Sequence, residues 1–335
     1  MNVCLCGGGS QTHIIGACLS QKKHAVTILT RHPDDWDKDY IVYSPKGEIR
    51  AGIAGISDNP QDVIPEADII LLTVPGTVNE SELVKIKPYI KPGAYVGGIF
   101  CSSGFFIEAM KVLPDDVILW GLQRVPFIAR VNEYGKSANL LGYKSLLKVA
   151  VERTSPDKKE EFRAWIENNF ETKTELLKNY LEATVTNSNP LLHTSRLYTM
   201  FRDWSDEMRE DHNIPFYEEW TEEAAALLIR MDEDLFRLLS VLPVTPGFLS
   251  PLLEYYESKD AKSLAAKISS ITAFKGILSP MKKVDGGWVP DYASRYFTED
   301  FGHSLRIIYD LARSHGVNTP YIDKVYEWGR GKLEN

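Results

Sequence analysis

Short apolar runs alternate with segments of helical periodicity in the first half of the chain. The apolar runs predict strands at residues 2–6, 25–30, 69–74, 95–99, 117–122 and 146–153. Helical periodicity occupies residues 12–21, 81–90, 105–113 and 156–170, and a last extended piece covers 172–177. Such alternation is typical of a parallel sheet whose two faces are covered by helices. The pattern therefore predicts a doubly wound α/β domain.

The second half of the chain carries its apolar positions at helical spacing. The longest amphipathic segment covers residues 221–242 and is stopped by Pro243. Another helix is predicted over residues 299–315. No linker rich in Gly, Ser or Pro separates the two halves. We therefore predict two domains, an α/β domain over residues 1–180 and an all-α domain over residues 181–335.

A glycine-rich turn connects the first predicted strand to the first predicted helix. Its residues are Gly7, Gly8, Gly9, Ser10, Gln11 and Thr12. A strand, turn, helix and strand in this order form the context of the dinucleotide-binding fingerprint. Gly7 permits the tight turn, and Gly9 lets a pyrophosphate approach the backbone at the helix N-terminus. We predict that Gly7, Gly9, Ser10 and Thr12 contact a dinucleotide in a Rossmann-type domain, a plain glycine turn being the alternative.

The end of the second predicted strand indicates which dinucleotide binds. NAD sites place Asp or Glu there for the ribose hydroxyls, whereas NADP sites use a nearby Arg for the 2′-phosphate. Here the strand ends at Thr30 and Arg31, so we predict NADP, with NAD possible and a surface role for Arg31 as the alternative. Pro75 follows another buried strand, beyond whose carboxyl end a ligand is expected in this fold. Pro75 is predicted to contact the cofactor or else to form a plain turn.

Composition narrows the class of partner. The chain has 335 residues and a formal net charge of −8, which argues against nucleic acid because duplex binding depends on Lys and Arg. It has no apolar run of about 18 residues, so we expect no membrane span. The four cysteines, at positions 4, 6, 18 and 101, are interpreted as small buried hydrophobic residues rather than as a metal site. We expect small-molecule substrates, no metal and a reducing, cytoplasmic setting, and a homodimer stays open.

Two groups of polar residues in the second half can carry chemistry. Asn189 suits a helix cap and Pro190 a first helical turn, which places His193 one turn inside a helix. Imidazole titrates near neutrality, as a general acid or base must, although a lone helical His is more often structural. Arg295 is predicted in an aromatic-rich loop, and Asp300 in the first turn of the helix that follows. Arg binds carboxylates bidentately, and a carboxylate can orient an imidazole.

Five segments of the chain match the motifs of a known family. They are Asn189-Pro190-Leu191-Leu192-His193, Met231-Asp232-Glu233-Asp234-Leu235, Ser279-Pro280-Met281-Lys282, Arg295-Tyr296-Phe297-Thr298-Glu299-Asp300 and His315-Gly316-Val317-Asn318-Thr319-Pro320. In these segments the chain resembles the opine dehydrogenases, which include the octopine, nopaline and lysopine dehydrogenases. The resemblance implies a dinucleotide domain joined to an α-helical domain. It also implies NAD(P)-dependent reductive condensation of an amino acid with a 2-oxo acid, or the reverse oxidation.

The resemblance further implies roles for individual residues. His193 matches the family's acid/base histidine, Asp300 its partner carboxylate, and Arg295 the arginine that grips a substrate carboxylate. Further candidates for contact with the substrate are Asn189, Gln123 and Trp288.

Two other functions remain open at this point. One is reduction of a 2-oxo acid, or oxidation of a hydroxy acid, with no amine involved; cofactor consumption with and without amino acids separates it from the first. The other is a non-catalytic nucleotide-binding regulator, since fold alone does not imply function. The joint presence of His193, Arg295 and Asp300 argues against the regulator, which would not need all three.

Overall fold

The chain folds into two compact units, with the division between Thr184 and Val185. The structure is a computed structural model, and it describes residues 1–334. The sequence pattern placed the division between residues 180 and 181. The four intervening residues belong to the last short helix of the first unit.

An eight-stranded sheet forms the centre of the first unit. Its strands are β1 (Asn2–Cys6), β2 (Ala25–Leu29), β5 (Gly55–Ser57), β6 (Ile69–Leu72), β7 (Tyr95–Gly98), β8 (Ile118–Leu122), β11 (Leu147–Glu152) and β12 (Thr174–Leu176). They lie in the order β12-β11-β8-β7-β6-β1-β2-β5. All neighbours are parallel except β8 and β11, which are antiparallel and have no helical crossover between them. The predicted Rossmann-type sheet is confirmed.

A second sheet of four strands was not predicted. Its strands are β3 (Asp39–Ser44), β4 (Gly47–Gly52), β9 (Phe127–Glu133) and β10 (Ser137–Tyr143), in the order β4-β3-β10-β9. The pairing of β3 with β10 joins segments almost 100 residues apart, which a local pattern does not reveal. The run Asp34-Asp35-Trp36-Asp37 lies just before β3, and its carboxylates are exposed. Trp36 in the same run is nevertheless buried in the core.

Helices cover both faces of the parallel sheet. They are α1 (Ser10–Gln21), α2 (Asn79–Ile86), α3 (Phe105–Val112), α4 (Pro156–Phe170) and α5 (Tyr180–Thr184). Alternation along β1 sends Val3 and Leu5 into one hydrophobic core and Cys4 and Cys6 into the other. Helix α1 packs against the parallel sheet and against the second sheet, so the glycine turn before it is held from both sides.

The second unit is helical, as predicted. Its helices are α6 (Asn189–Phe201), α7 (Glu222–Leu239), α8 (Leu252–Tyr255), α9 (Ala261–Ser270), α10 (Arg295–Thr298), α11 (Arg306–Ser314) and α12 (Pro320–Leu333), with a π-helical segment at Asp300–Leu305. A two-stranded hairpin, β13 (Met281–Val284) with β14 (Gly287–Pro290), adds to the predicted helices. Within residues 1–334, no helix is both long and apolar enough to cross a membrane.

Two buried aspartates of α7 hold this unit together. Asp232 accepts a hydrogen bond from the side chain of Asn187 at 2.9 Å. Asp234 accepts from the backbone N–H groups of Tyr321 and Ile322, at 2.7 and 3.0 Å, and so caps the first turn of α12. Burial raises the pKa of both carboxyls. The acidic motif of α7 therefore builds the fold, because its carboxylates are already satisfied by the protein.

Candidate active site

The glycine turn before α1 has the backbone geometry that a dinucleotide site requires. Gly7 has a φ of +126°, and a Cβ there would lie 2.6 Å from the hydroxyl oxygen of Thr73. Gly9 occupies the N-cap position of α1, and a Cβ there would meet no atom within 4 Å. No acidic residue lies in the first turn of α1 and no side chain caps it. No carboxylate competes for the N–H groups at this end of α1, and the open space at Gly9 fits a pyrophosphate.

Thr12 has a different role from the one predicted. Its side chain is fully buried, and its hydroxyl lies 2.7 Å from that of Thr73, which in turn donates to the carbonyl of Cys6 at 2.9 Å. The structure contradicts a cofactor contact from this side chain. The third position of the fingerprint is usually Gly or Ala, which lets the helix pack closely on the sheet. Here Thr12 instead connects α1 to the loop after β6 through its hydrogen bond with Thr73.

The end of β2 combines one exposed cation with several carboxylates. Thr30 is buried, and its hydroxyl lies 3.1 Å from that of Tyr134. Arg31 is exposed, and no ion pair to it is found within residues 1–334. An open cavity of about 550 Å³ adjoins this region, and its lining includes His32, Asp34, Asp35, Asp37, Glu133 and Lys136. The carboxylates can accept hydrogen bonds from sugar hydroxyls but would repel a phosphate.

Two other candidates from the first unit differ in their surroundings. Pro75 is exposed and follows β6 before a short 3₁₀ turn, in keeping with a loop beyond a strand end. Gln123 is buried, and its amide nitrogen donates to the carbonyl of Glu182 at 2.8 Å. One N–H of this amide is used within the fold, and the substrate contact of Gln123 stays a prediction.

His193 is positioned by the first turn of α6. Ser188 is the N-cap, and Asn189, which was predicted to cap the helix, is its exposed first residue instead. Pro190 follows within the first turn, where its missing N–H is harmless. His193 lies one turn inside, only 9% exposed. The predicted placement of His193 on a helix is therefore correct, with the cap shifted by one residue.

Asp300 opens a stretch of irregular helix. The predicted loop at Arg295 is wrong, because helix α10 already begins at Arg295 behind Ser294. A π-helical segment follows at Asp300–Leu305 and continues into α11. Widened turns of this kind are rare and occur frequently at functional sites. Arg295 itself is exposed, while Asp300 is buried.

Both ring nitrogens of His193 have titratable partners. Nδ1 lies 2.8 Å from the Asp300 carboxylate, and Nε2 lies 2.7 Å from the Tyr217 hydroxyl. Burial raises the pKa of the Asp300 carboxyl, and the charges of His193 and Arg295 oppose this rise. With Asp300 ionised, Nδ1–H donates to the carboxylate and the Tyr217 hydroxyl donates to Nε2. This arrangement fixes one tautomer and orients the ring, as in a Ser-His-Asp triad.

Aromatic rings surround the imidazole and were not predicted as part of the site. The centroids of Phe216, Tyr217 and Tyr296 lie 5.7, 6.1 and 4.8 Å from that of His193. Tyr296 adjoins Arg295 in one of the five segments that match the family motifs. Phe216 and Tyr217 lie in a segment without helical periodicity, so no local signal connected them to His193.

Trp288 lies in a different element from the residues around His193. It is half-buried in the β13–β14 hairpin, where its backbone exchanges hydrogen bonds with Glu210. Within residues 1–334, no hydrogen bond or ring contact joins Trp288 to His193. The substrate role of Trp288 stays a prediction.

Comparison with known proteins agrees with both halves of this description. The NAD/NADP octopine/nopaline dehydrogenase α-helical domain matches residues 176–333, and ketopantoate reductase PanE/ApbA matches residues 3–99. The opine dehydrogenase of Haliotis discus hannai is 27% identical over 99% of this chain and 90% of its own length. Over nearly its full length, this chain is therefore similar to the opine dehydrogenases. It is accordingly an NAD(P)-dependent oxidoreductase that acts on CH–NH bonds.

Solved structures of family members share the fold. Octopine dehydrogenase with NADH and L-arginine superposes with a TM-score of 0.84 at 25% identity, covering 99% of this chain and 89% of that one. Yersinopine dehydrogenase with NADP⁺ bound has a TM-score of 0.74 at 14% identity, covering 100% and 91%. The second likeness concerns the fold alone. Because the octopine dehydrogenase structure holds NADH, its likeness to this chain supports a nicotinamide dinucleotide as the cofactor.

Proposed function

We propose that this chain joins an amino acid to a 2-oxo acid by reductive condensation, with His193 as the acid and base. The observation that carries the proposal is His193 held between Asp300 and Tyr217 in a buried aromatic setting. A structural histidine needs no ionisable partner on each nitrogen. General acid and base catalysis needs a group that can gain and lose a proton reversibly near neutral pH.

The protein's part in the reaction is the movement of protons. As the amine nitrogen attacks the 2-oxo carbon, one of its protons passes to the carbonyl oxygen. The hydroxyl so formed leaves as water after taking a proton from the imidazolium of His193, and a protonated imine remains. Asp300 stabilises that imidazolium and keeps the ring oriented. When bound, the reduced dinucleotide supplies the hydride that converts the imine to a secondary amine. The reverse oxidation uses His193 as the base.

We assign substrate recognition to Arg295 and Asn189. Arg295 is exposed one turn before Asp300, so its guanidinium is available to a substrate carboxylate in bidentate geometry. Asn189 is exposed one turn before His193 on α6. Residues four apart on a helix share a face, so its amide is on the same side of α6 as the imidazole.

We propose that the dinucleotide is NADP. Gly7, Gly9 and Ser10 would bind the pyrophosphate through the turn, with Pro75 beside it, and Arg31 would pair with the 2′-phosphate. The absence of an acid at Thr30 or Arg31 supports this choice. The carboxylates of the adjoining cavity favour NADH instead, so Arg31 carries the preference by itself.

A matrix of substrates tests the function. Purified protein is mixed with each of several amino acids and with pyruvate, 2-oxoglutarate or glyoxylate, and NADPH and NADH consumption is followed. We expect consumption only when amine and 2-oxo acid are both present. Equal consumption without any amine would instead establish a 2-oxo acid reductase. No consumption with any pair, together with tight dinucleotide binding, would support the non-catalytic regulator.

A further inference from the structure

The hydroxyl of Tyr217 occupies the position from which a substrate would exchange a proton with His193. Nδ1 of the ring is engaged by Asp300, so only Nε2 can serve the reaction. The nearest hydrogen-bonding atom to Nε2 is the Tyr217 hydroxyl, at 2.7 Å. A substrate must therefore either displace this hydroxyl or react through it.

The packing of the Tyr217 ring argues against displacement. The side chain is buried and stacks on Phe274 with centroids 4.2 Å apart and planes inclined by 20°. It lies parallel to Trp220 at 6.0 Å and edge-on to Phe216 at 4.9 Å. Moving the ring aside would separate three aromatic contacts at once. A hydroxyl can reverse its hydrogen bond without any movement of the ring.

We infer that Tyr217 is a proton-relay residue between His193 and the reacting substrate, an inference that rests on the proposed function. In the forward reaction, the Tyr217 O–H gives its proton to the leaving hydroxyl while the oxygen takes the proton from Nε2 of the imidazolium. The tyrosine ends as it began, the imidazolium becomes imidazole, and water departs. The reverse reaction runs the same two transfers backwards.

The ionisable groups around Tyr217 suit this role. Those that face it or its partner imidazole are Asp300, Tyr296 and Tyr256, with Arg295 and Glu299 acting on Asp300. Burial raises the pKa of Tyr217 and of Tyr296, so both phenols keep their protons near neutral pH. A protonated phenol is the state that can donate to Nε2 in the resting enzyme and pass a proton onward.

Replacement of the hydroxyl alone tests the relay. Tyr217→Phe keeps the ring contacts, and Tyr198→Phe, which removes a hydroxyl from another buried tyrosine of the helical unit, is the matched control. We expect kcat of Tyr217→Phe to fall by about 10²–10⁴-fold, with KM for both substrates and the Kd of the dinucleotide nearly unchanged. The control should keep normal turnover. Normal kcat in Tyr217→Phe, a gain in kcat, or a change confined to KM would each overturn the relay.

A second measurement does not depend on turnover. In ¹⁵N-histidine-labelled protein, the Nε2 resonance of His193, assigned by its loss in His193→Ala, should move in Tyr217→Phe and stay in place in Tyr198→Phe. An unmoved resonance would overturn the hydrogen bond on which the relay depends. If the native protein and the Tyr217→Phe variant both turn over substrate normally, the relay is rejected and the proposed function stands. An inactive native protein across the substrate matrix would reject the proposed function, and the relay with it.

Discussion

Each unit contains a buried helical histidine with both ring nitrogens engaged, but the partners differ in kind. In the first unit, Nδ1 of His13 lies 2.8 Å from the carbonyl of Gly9, and Nε2 accepts from the N–H of Gly135 at 2.9 Å. In the second unit, His193 contacts the Asp300 carboxylate and the Tyr217 hydroxyl at similar distances. Burial and hydrogen-bond counts alone would not distinguish the two.

The chemistry of the partners does distinguish them. A backbone N–H keeps its proton, so it fixes His13 as a neutral acceptor at Nε2, and burial lowers the pKa of His13 further. The ring then holds the glycine turn to the turn between β9 and β10. Carboxylate and phenol groups can each take part in either protonation state of His193. Partners of this kind identify an acid and base, whereas backbone partners identify a structural ring.

Removal of His193 or Asp300 should produce the largest effect. We expect His193→Ala and Asp300→Asn each to lower kcat by about 10²–10⁴-fold while dinucleotide binding survives. Exposed His315→Ala is the control. Because the two residues act as a unit, the double variant should be little worse than the worse single one. Losses that multiply in steady-state kinetics would show that the two do not form a catalytic pair.

Arg31→Ala should change the cofactor preference of the first unit. A charge-assisted contact contributes about 1.5–3 kcal/mol, or roughly one to two orders of magnitude in affinity. We expect NADPH to bind that much more weakly in fluorescence titrations, and NADH to bind as before. Since the carboxylates of the cavity remain, the variant should come to prefer NADH. Equal losses for both cofactors, or the same loss in Arg50→Ala, would contradict a contact with the 2′-phosphate.

Arg295→Lys keeps the charge beside the acid/base pair and removes the planar fork. Lys is a point charge and cannot bind a carboxylate bidentately, so we expect KM for the 2-oxo acid to rise by about tenfold. The value of kcat should change less, because His193 and Asp300 are untouched. Arg306→Lys, an exposed substitution on α11, provides the comparison in the same assay. If Arg295→Lys has the kcat and KM of the native protein, Arg295 is an ordinary surface residue.

The smallest expected effect concerns His13. Its pKa is lowered from the usual 6.5, so its contribution to stability is complete above that value and is lost as the pH falls towards the folded-state pKa. We expect the free energy of unfolding to fall further between pH 7 and pH 5 in the native protein than in His13→Gln. Denaturant titrations at both pH values measure this difference, with exposed His32→Gln as the control. If the free energy of unfolding changes equally with pH in all three proteins, His13 does not have this structural role.

The sequence indicated the elements whose signals are local. The apolar run from Val3 to Cys6 predicted a strand, because a strand inside a parallel sheet is buried on both faces. Gly7 predicted a turn, because the backbone of that turn has a positive φ. The Arg295 to Asp300 motif was recognised, but its geometry was predicted wrongly. Helix α10 has only four residues, which is too short for a helical period to show in the sequence.

The sequence by itself determined the α/β and helical halves, the glycine turn, the resemblance to the opine dehydrogenases, and the choice of His193, Asp300 and Arg295 as candidates. Only the tertiary structure decided which groups meet. Tyr217 reaches His193 across 24 residues, Thr12 reaches Thr73 across 61, and β3 pairs with β10 across nearly 100. Periodicity and turn chemistry report the conformation of neighbouring residues. The partners of a buried polar group depend on how distant segments pack, because each group must find its hydrogen bond wherever the fold places a donor or acceptor.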